Sequence, residues 1–344
     1  MSMDIKNHGG TRMRSYVFIG TGADDIKVMY SDFNKFDKSE LKMLSMQTFK
    51  RKLSLPGRIL LSNKNPLGKR NRRIFNRADF YRIDKGLMKK SLVFNKIDKN
   101  DDVVFIIYAR IWEFSGNQIK KYLKRIFPKA KFVVYFGDVI SSFDIDLDKT
   151  RNSFDSCTTF DKAEAEKYNF KFLQEPFSFV DYGKFDTEYD ITFVGASKNR
   201  LNEIYEAYEK AKDLGLKNDF HIFNVSDSEM KYTTEIAFNK WMSFEEVMEH
   251  VFKSNAIFEV MQKDGYSPTT RYAQALLYKK YLITNCRAFK DKKDLPPNII
   301  YFENPKDIDF SKIKEPLEYD NKEYIKKFSI ETYIASLEIV INGK

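Results

Sequence analysis

The sequence predicts an α/β protein of two Rossmann-like domains in tandem, closed by a C-terminal helix. Three observations point there. Short apolar runs of strand type alternate with helix patterns along most of the chain. A looser stretch between Glu175 and Glu188, containing Pro176 and Gly183, divides them into two series. The 344 residues are enough for two domains with a core each. The first domain is read over 1–180 and the second over 188–344, with the last helix, 321–341, placed to pack back on the first domain. A ligand cleft is expected where the carboxyl ends of the strands face one another.

In the first half, Ser15 to Ile19 reads as a strand running into Gly20-Thr21-Gly22, and Arg58 to Leu61 as another. DDVVFIIY, a helix from Phe114 to Phe127 ended by Pro128, and KFVVYFGD form a strand, helix, strand unit. Asp155 to Thr159 and Phe170 to Leu173 flank the helix KAEAEKY. The second half starts afresh with the strand Asp190 to Gly195 and a helix over 199–214, followed by the strand Phe220 to Val225. A helix from Ser243 to Phe252 opens with Ser243 and Glu246 spaced as a capping box. The strand near Asn298 to Phe302 and the helix over 321–341 finish the chain.

Composition narrows the function classes. At 42% hydrophobic and 31% charged residues, with 9 Pro and 14 Gly, the chain is of soluble globular type. It shows neither a membrane-span run nor the apolar core of a signal peptide, which predicts a cytoplasmic protein. Cys157 and Cys286 are too far apart in sequence for a disulfide framework or a metal-ligand spacing and read as reduced, structural cysteines. His8, His221 and His250 are scattered, His221 reads as a strand residue, and no metal is expected. The charge is concentrated. Residues 50–90 hold 14 Lys and Arg against Asp79 and Asp84, a local +12 within a chain of net +10. Leu53, Ile59, Phe75 and Phe80 lie among those charges, as in surfaces that meet anionic lipid headgroups. A solvated face or a nucleic-acid patch would carry the same charge.

The most informative stretch is Ser254 to Thr284, which reads as strand, loop, helix and second strand. Asp264-Gly265 breaks the apolar run Ala256 to Val260. Ser267 then suits an N-cap and Pro268 the first helical position. Free N–H groups of that first turn, the helix dipole, the hydroxyls of Thr269 and Thr270 and the Arg271 guanidinium all favour a phosphate. An ordinary capped helix would have the same spacing. Gly195 closes the earlier strand, with Lys198 and Arg200 at the following helix start, and pairs with the Ser267 to Arg271 turn as a site for a diphosphate held between two loops. No dinucleotide fingerprint or Walker motif accompanies them.

Acidic groups offer competing chemistry. Asp144-Ile145-Asp146-Leu147-Asp148-Lys149-Thr150 contains the nucleophile pattern of haloacid-dehalogenase-like phosphatases, but without a buried apolar strand before it. As a calcium loop it has Lys149 where glycine is needed. Asp138, just past KFVVYFG, stands at a strand's carboxyl edge and could take a proton from an attacking hydroxyl; capping a turn is its bland alternative. Glu259, at the end of its own strand, is the second acid of interest.

The run from Met242 through Asn285, with MSFEEVMEHVFKSNAIFEV and QKDGYSPTTRYAQALLYKKYLITN, resembles the C-terminal domain of GT-B-fold glycosyltransferases from bacterial surface-polysaccharide clusters (lipopolysaccharide, capsule, exopolysaccharide). DITFVGASKNRL and TTFDKAEAEKYNFKFLQEPFSF fit the same kind of protein, and the similarity covers roughly residues 100–300. The resemblance implies a metal-independent transferase without a cofactor, whose C-terminal domain holds a nucleoside diphosphate sugar, a UDP-sugar foremost, and whose N-terminal domain holds a saccharide acceptor. It implies that Gly195, Lys198, Arg200, Ser267, Thr269, Thr270 and Arg271 contact the donor diphosphate. Many members carry a glutamate before Ala275, paired with another further upstream; Gln274 and Tyr266 stand at those positions here, so Gln274 is expected at the ribose and inversion is favoured, with Asp138 as base. A lipid-linked acceptor would suit a peripheral protein on the inner face of the plasma membrane, held through Arg70, Arg72 and Arg73, with no nucleic acid expected as partner. The alternatives are a phosphatase of haloacid-dehalogenase type and a basic nucleic-acid-binding protein.

Overall fold

The computed structural model describes residues 14–20, 23–34, 41–45, 52–60, 62, 67, 81–94, 97 and 102–343. The chain forms two compact units. One comprises residues 1–159, 168–173 and 337–344; the other comprises 160–167 and 174–336. Arg70, Arg72 and Arg73 lie outside the described residues, as do the rest of 68–80 and residues 63–66.

The first unit is built on a six-stranded parallel sheet. Its strands are β1 (Arg14–Gly20), β2 (Leu41–Ser45), β5 (Asp102–Tyr108), β6 (Lys131–Phe136), β7 (Ser156–Thr159) and β8 (Lys171–Phe172), in the order β2-β1-β5-β6-β7-β8. A two-residue antiparallel ribbon, β3 (Lys52–Leu53) with β4 (Tyr81–Arg82), lies apart from it. The continuous apolar runs of β5 and β6 are buried along nearly their whole length, as parallel strands covered on both faces must be. Packed with them are Ile111 and Trp112 of α4 (Ala109–Ser115) and Ile119 and Leu123 of α5 (Asn117–Ile126). Two expectations change here. The helix predicted over 114–127 is two helices, because Gly116 takes φ 50° at the break and its N–H donates to the Trp112 carbonyl. The segment at Arg58 is not a strand but part of the helix α2 (Leu55–Leu60): Ser54 accepts from Gly57 N–H and Arg58 N–H, and Pro56 near the first turn pre-sets helical φ.

In the second unit the sheet strands are β9 (Tyr189–Ala196), β10 (Asn218–Phe223), β11 (Ala237–Phe238), β12 (Ser254–Glu259), β13 (Tyr281–Thr284) and β14 (Ile299–Tyr301). All pair in parallel, in the order β11-β10-β9-β12-β13-β14. Counted from β9, that is the doubly wound order 3-2-1-4-5-6, whose direction reverses between β9 and β12. Ile204, Tyr208 and Ala211 of α8 (Leu201–Asp213) fill one core cluster of this unit. Met248, Val251 and Phe252 of α9 (Phe244–Phe252) and Ala275 of α10 (Thr270–Leu277) fill another. The Ser243–Glu246 capping box of α9 forms as its spacing predicts, Ser243 Oγ accepting from Glu246 N–H and the Glu246 carboxylate from Ser243 N–H. The closing helix is again two segments, α11 (Lys322–Lys327) and α12 (Ile330–Asn342).

In the first unit, the end of α12 is tied to β1. Glu338 accepts from Arg14 Nη1 at 2.9 and 2.7 Å and from the Tyr16 hydroxyl, while Arg14 Nε donates to Asp102 at 2.9 Å. Burial alone would raise the Glu338 carboxyl, but these hydrogen bonds outweigh it and hold the group below its usual value. A carboxyl depressed on folding contributes stability above its unfolded pKa of about 4.3 and loses it as pH falls through the folded value. Glu338→Gln should therefore lower the melting temperature by roughly 1–3 °C at neutral pH. The difference should close below about pH 4, and a gap of constant size across that range would show that Glu338 does not act through its charge.

Candidate functional site

The reversal between β9 and β12 places the carboxyl ends of these two strands on either side of a crevice, the position at which doubly wound sheets bind ligands. The loop leaving β9 is set by Gly195. A Cβ there would lie 3.3 Å from the ring tip of Phe193 and 3.7 Å from Arg200 Nη2. Beyond it, Ser197 N–H donates to Phe223 O and Ser197 Oγ to Asn224 O, both at 2.9 Å, which ties this loop to the end of β10. Lys198 is exposed and adopts φ 44°, so the loop turns sharply enough to hold up a lysine at its tip. Arg200 folds back from the start of α8. Its Nη1 donates to Val260 O, just past β12, and its Nη2 to Ala196 O at 3.2 Å.

From the other side, Arg271 of α10 reaches across to β9, donating through Nη2 to Val194 O at 2.7 Å and through Nη1 to Gln274 Oε1 at 2.8 Å. Arg200 and Arg271 thus span the crevice in opposite directions. Between them sits Glu259, the last residue of β12, only 5% exposed. Its carboxylate accepts from the Thr269 hydroxyl and, at 2.6 Å, from Thr284 Oγ1. Burial pushes the Arg271 guanidinium down to about 10, with Glu259 pulling it up and Arg200 pushing it down further. Arg200 is lowered by burial as well, again opposed by Glu259. Glu203 of α8 acts on Arg200 too, so Arg271 and the exposed Lys198 supply the positive charge that this end of the sheet leaves unbalanced. Several donors remain open. The hydrogen bonds above use two of the five N–H groups of each arginine. Arg200 Nε and Gln274 Nε2 are buried without a partner among the described residues.

The helix start differs from the expectation. Thr269, not Ser267, is the N-cap of α10, its Oγ1 accepting from Arg271 N–H at 3.2 Å, and Pro268 precedes the cap instead of opening the helix. The cause is a tertiary restraint. Asp161, fully buried, accepts from Tyr266 N–H at 2.7 Å and Ser267 N–H at 2.8 Å, while Ser267 Oγ accepts from Lys162 N–H at 2.9 Å. These bonds hold 266–267 outside the helix. Arg287 adds donors to Gly265 O and Lys263 O, and Cys286 Sγ lies 3.2 Å from Tyr266 O, so the loop is held from both ends. Burial pushes the Cys286 thiol up to about 12, in keeping with a structural role.

Gly195, Arg200, Glu259, Thr269, Thr270, Arg271 and Gln274 therefore gather at one end of one sheet. Asp138 belongs to the first unit, where it is half-buried beyond the carboxyl end of β6 with Oδ1 accepting from Val139 N–H at 2.9 Å. The phosphatase-like run has a local explanation: Asp146 is the N-cap of α6 (Leu147–Ser153), accepting from Lys149 N–H at 2.9 Å. Sequence reasoning missed Asp161 and Thr284. Asp161 had a signal, the Asp-x-x-Glu spacing to Glu164, whose N–H it caps at 3.0 Å. Thr284 had none, since its partner Glu259 is reached only by pairing β12 with β13.

No protein-family model and no curated protein matches the sequence. Among solved structures, the chain is similar to a mutant of S. aureus TarM in complex with Fondaparinux, alpha-GlcNAc-glycerol and UDP, at 12% identity and a TM-score of 0.50. That match covers 76% of this chain and 59% of TarM, so this chain spans under two thirds of its relative's length. The fold is of GT-B type. The glycosyltransferase SnogD from Streptomyces nogalater matches more loosely, at 7% identity and a TM-score of 0.31 over 97% of this chain and 91% of that one, too low to carry an argument.

Removing the charge at the centre tests the site's construction. Glu259→Gln keeps the shape but leaves two guanidiniums without their counter-charge, and should cost roughly 2–4 kcal/mol of stability. Thr284→Val, which removes one hydrogen bond, should cost about 1 kcal/mol. Denaturant titrations showing Glu259→Gln no more harmful than Thr284→Val would refute the charge-balancing role.

Proposed function

We propose that this chain is a glycosyltransferase that moves a sugar from a nucleoside diphosphate sugar, a UDP-sugar foremost, to a saccharide acceptor. The observation that carries the reading is the pair of guanidiniums at the strand reversal of the second unit, Arg200 and Arg271, held through backbone carbonyls within the field of one buried carboxylate, Glu259. A leaving nucleoside diphosphate gains negative charge as the glycosidic bond to it breaks. Fixed cations and the dipole of α10 stabilise that charge without reorganisation at the moment of reaction. Lys198 and the Thr270 hydroxyl complete the cradle, the Thr269 hydroxyl being spent on Glu259, and the cradle would supply by itself the positive charge that a divalent ion supplies elsewhere. TarM, which shares the fold, is seen with UDP and alpha-GlcNAc-glycerol, and this supports the substrate class.

The individual roles follow from the contacts. Gln274 Oε1 orients Arg271, and its buried, unpartnered Nε2 is assigned to a ribose hydroxyl. Glu259, with both oxygens engaged, balances charge and does not move protons. Ser267 fixes the loop. Asp138 is the group we assign to deprotonate the acceptor hydroxyl, giving inversion at the sugar carbon. The acceptor is proposed to be lipid-linked and part of bacterial surface-polysaccharide synthesis, with residues 50–90 holding the protein to an anionic membrane face. No helix among the described residues is long and apolar enough to cross a membrane. The phosphatase alternative loses its motif to the Asp146 cap.

A panel of nucleoside diphosphate sugars should include one that raises the melting temperature, and Arg271→Ala should abolish that rise. Because Arg271 is also structural, Lys198→Ala serves as the second variant: its side chain is exposed, and it should weaken donor binding several-fold at unchanged stability. A panel without any shift, or a shift untouched by both variants, would exclude this site as the donor site. Replacing Arg70, Arg72 and Arg73 with Gln should release the protein from phosphatidylserine vesicles, by about 1 kcal/mol per charge removed. Undiminished vesicle binding would remove the membrane role.

A further inference from the structure

A second cluster of chemistry lies at the other half of the same sheet and takes no part in the donor site. Asp219 and His221 alternate on β10, so the period of two sets both side chains on one face of the strand. His250, in the last turn of α9, meets them there. Asp219 Oδ1 lies 2.8 Å from His221 Nε2, and Oδ2 lies 2.8 Å from His250 Nδ1. The two rings stand 4.3 Å apart. Thr192 of β9 donates to Asp219 Oδ2 at 2.9 Å and fixes the carboxylate from behind. One potential ligand atom from each of the three residues falls within 4.8 Å of the others.

We propose that Asp219, His221 and His250 form a binding site for a divalent transition-metal cation of the zinc type. Two imidazole nitrogens and one carboxylate are the donor set of three-ligand zinc sites, which leave a fourth position open. The surroundings suit that role. Asp219 is buried, with its side chain 7% exposed, so it is held in place and little screened. The side chains of His221 and His250 keep 14% and 24% exposure, which gives an ion a way in and a water a place on the open position. Thr192 supplies the outer hydrogen bond that orients a ligating carboxylate. Bound there, the ion joins β10 to α9, two elements already linked by the Asp219–His250 hydrogen bond. Asp219 stands near the amino end of β10, level with Thr192, and His250 ends the helix that leads into the start of β12, so the site lies short of the groups beyond the carboxyl ends of β9 and β12 and its role is structural.

Zn2+ added alone to the metal-stripped full chain should bind in a 1:1 ratio with sub-micromolar affinity and raise the melting temperature. Co2+ in its place should give the visible absorption of a tetrahedral or five-coordinate site with nitrogen and oxygen ligands. His250→Gln, on a partly buried side chain, should weaken Zn2+ binding at least tenfold. His221→Gln should do the same. Wild-type protein that neither binds Zn2+ more tightly than about 10 μM nor gives the Co2+ spectrum would overturn the site, as would unchanged affinity in His250→Gln. If His250→Gln fails to fold, the wild-type Co2+ spectrum alone decides. The result is independent of the donor site, because nucleotide binding is read separately from metal binding.

Discussion

The carboxylate of Glu259 is the point on which the second unit's functional end depends. Two guanidiniums approach one another at the strand reversal, an arrangement that repulsion and desolvation would prohibit without a counter-charge. Glu259 provides it while its own oxygens are fixed by Thr269 and Thr284, hydroxyls from the start of α10 and the end of β13. One buried acid thereby joins two elements by hydrogen bonds, the start of α10 through Thr269 and β13 through Thr284, while Arg200 ties the loop after β9 to Val260. What remains is a preorganised positive end with unused donors, which is the electrostatic requirement for stabilising a departing diphosphate.

The surrounding loops are held by further tertiary bonds. Asp161 and Lys162 anchor the 266–267 segment, and Arg287 anchors Gly265. The chain spends tertiary hydrogen bonds to delay the start of α10 until Thr269, so that the capping hydroxyl is one that also meets Glu259. A helix starting at Ser267 would satisfy local preferences better, yet it would rotate Thr269 and Arg271 away from their present partners. Local preference yields here to tertiary hydrogen bonds.

How much of this was legible follows from the range of each interaction. The strand and helix alternation and the Ser243 capping box depend on periodicity and short spacing, and they are present as read. The sequence positions of Gly116 and Pro56 contained the signals for the broken helix and for α2, but apolar runs at Arg58 and beyond Phe114 outweighed them. The pairings Asp161 with Ser267, Glu259 with Thr284, and Asp219 with His250 join residues far apart in sequence. Only the sheet order brings them together, which is why three scattered histidines concealed a compact cluster involving two of them.

The central claim is that the strand reversal of the second unit recognises a diphosphate group, and comparing UDP with uridine by isothermal titration calorimetry in metal-free buffer tests it most directly. Interaction with two fixed guanidiniums and a helix start predicts that UDP binds at least one hundredfold more tightly than uridine and that the advantage shrinks as salt rises. Equal affinity for the two, or no binding of UDP with or without added divalent metal, would contradict it.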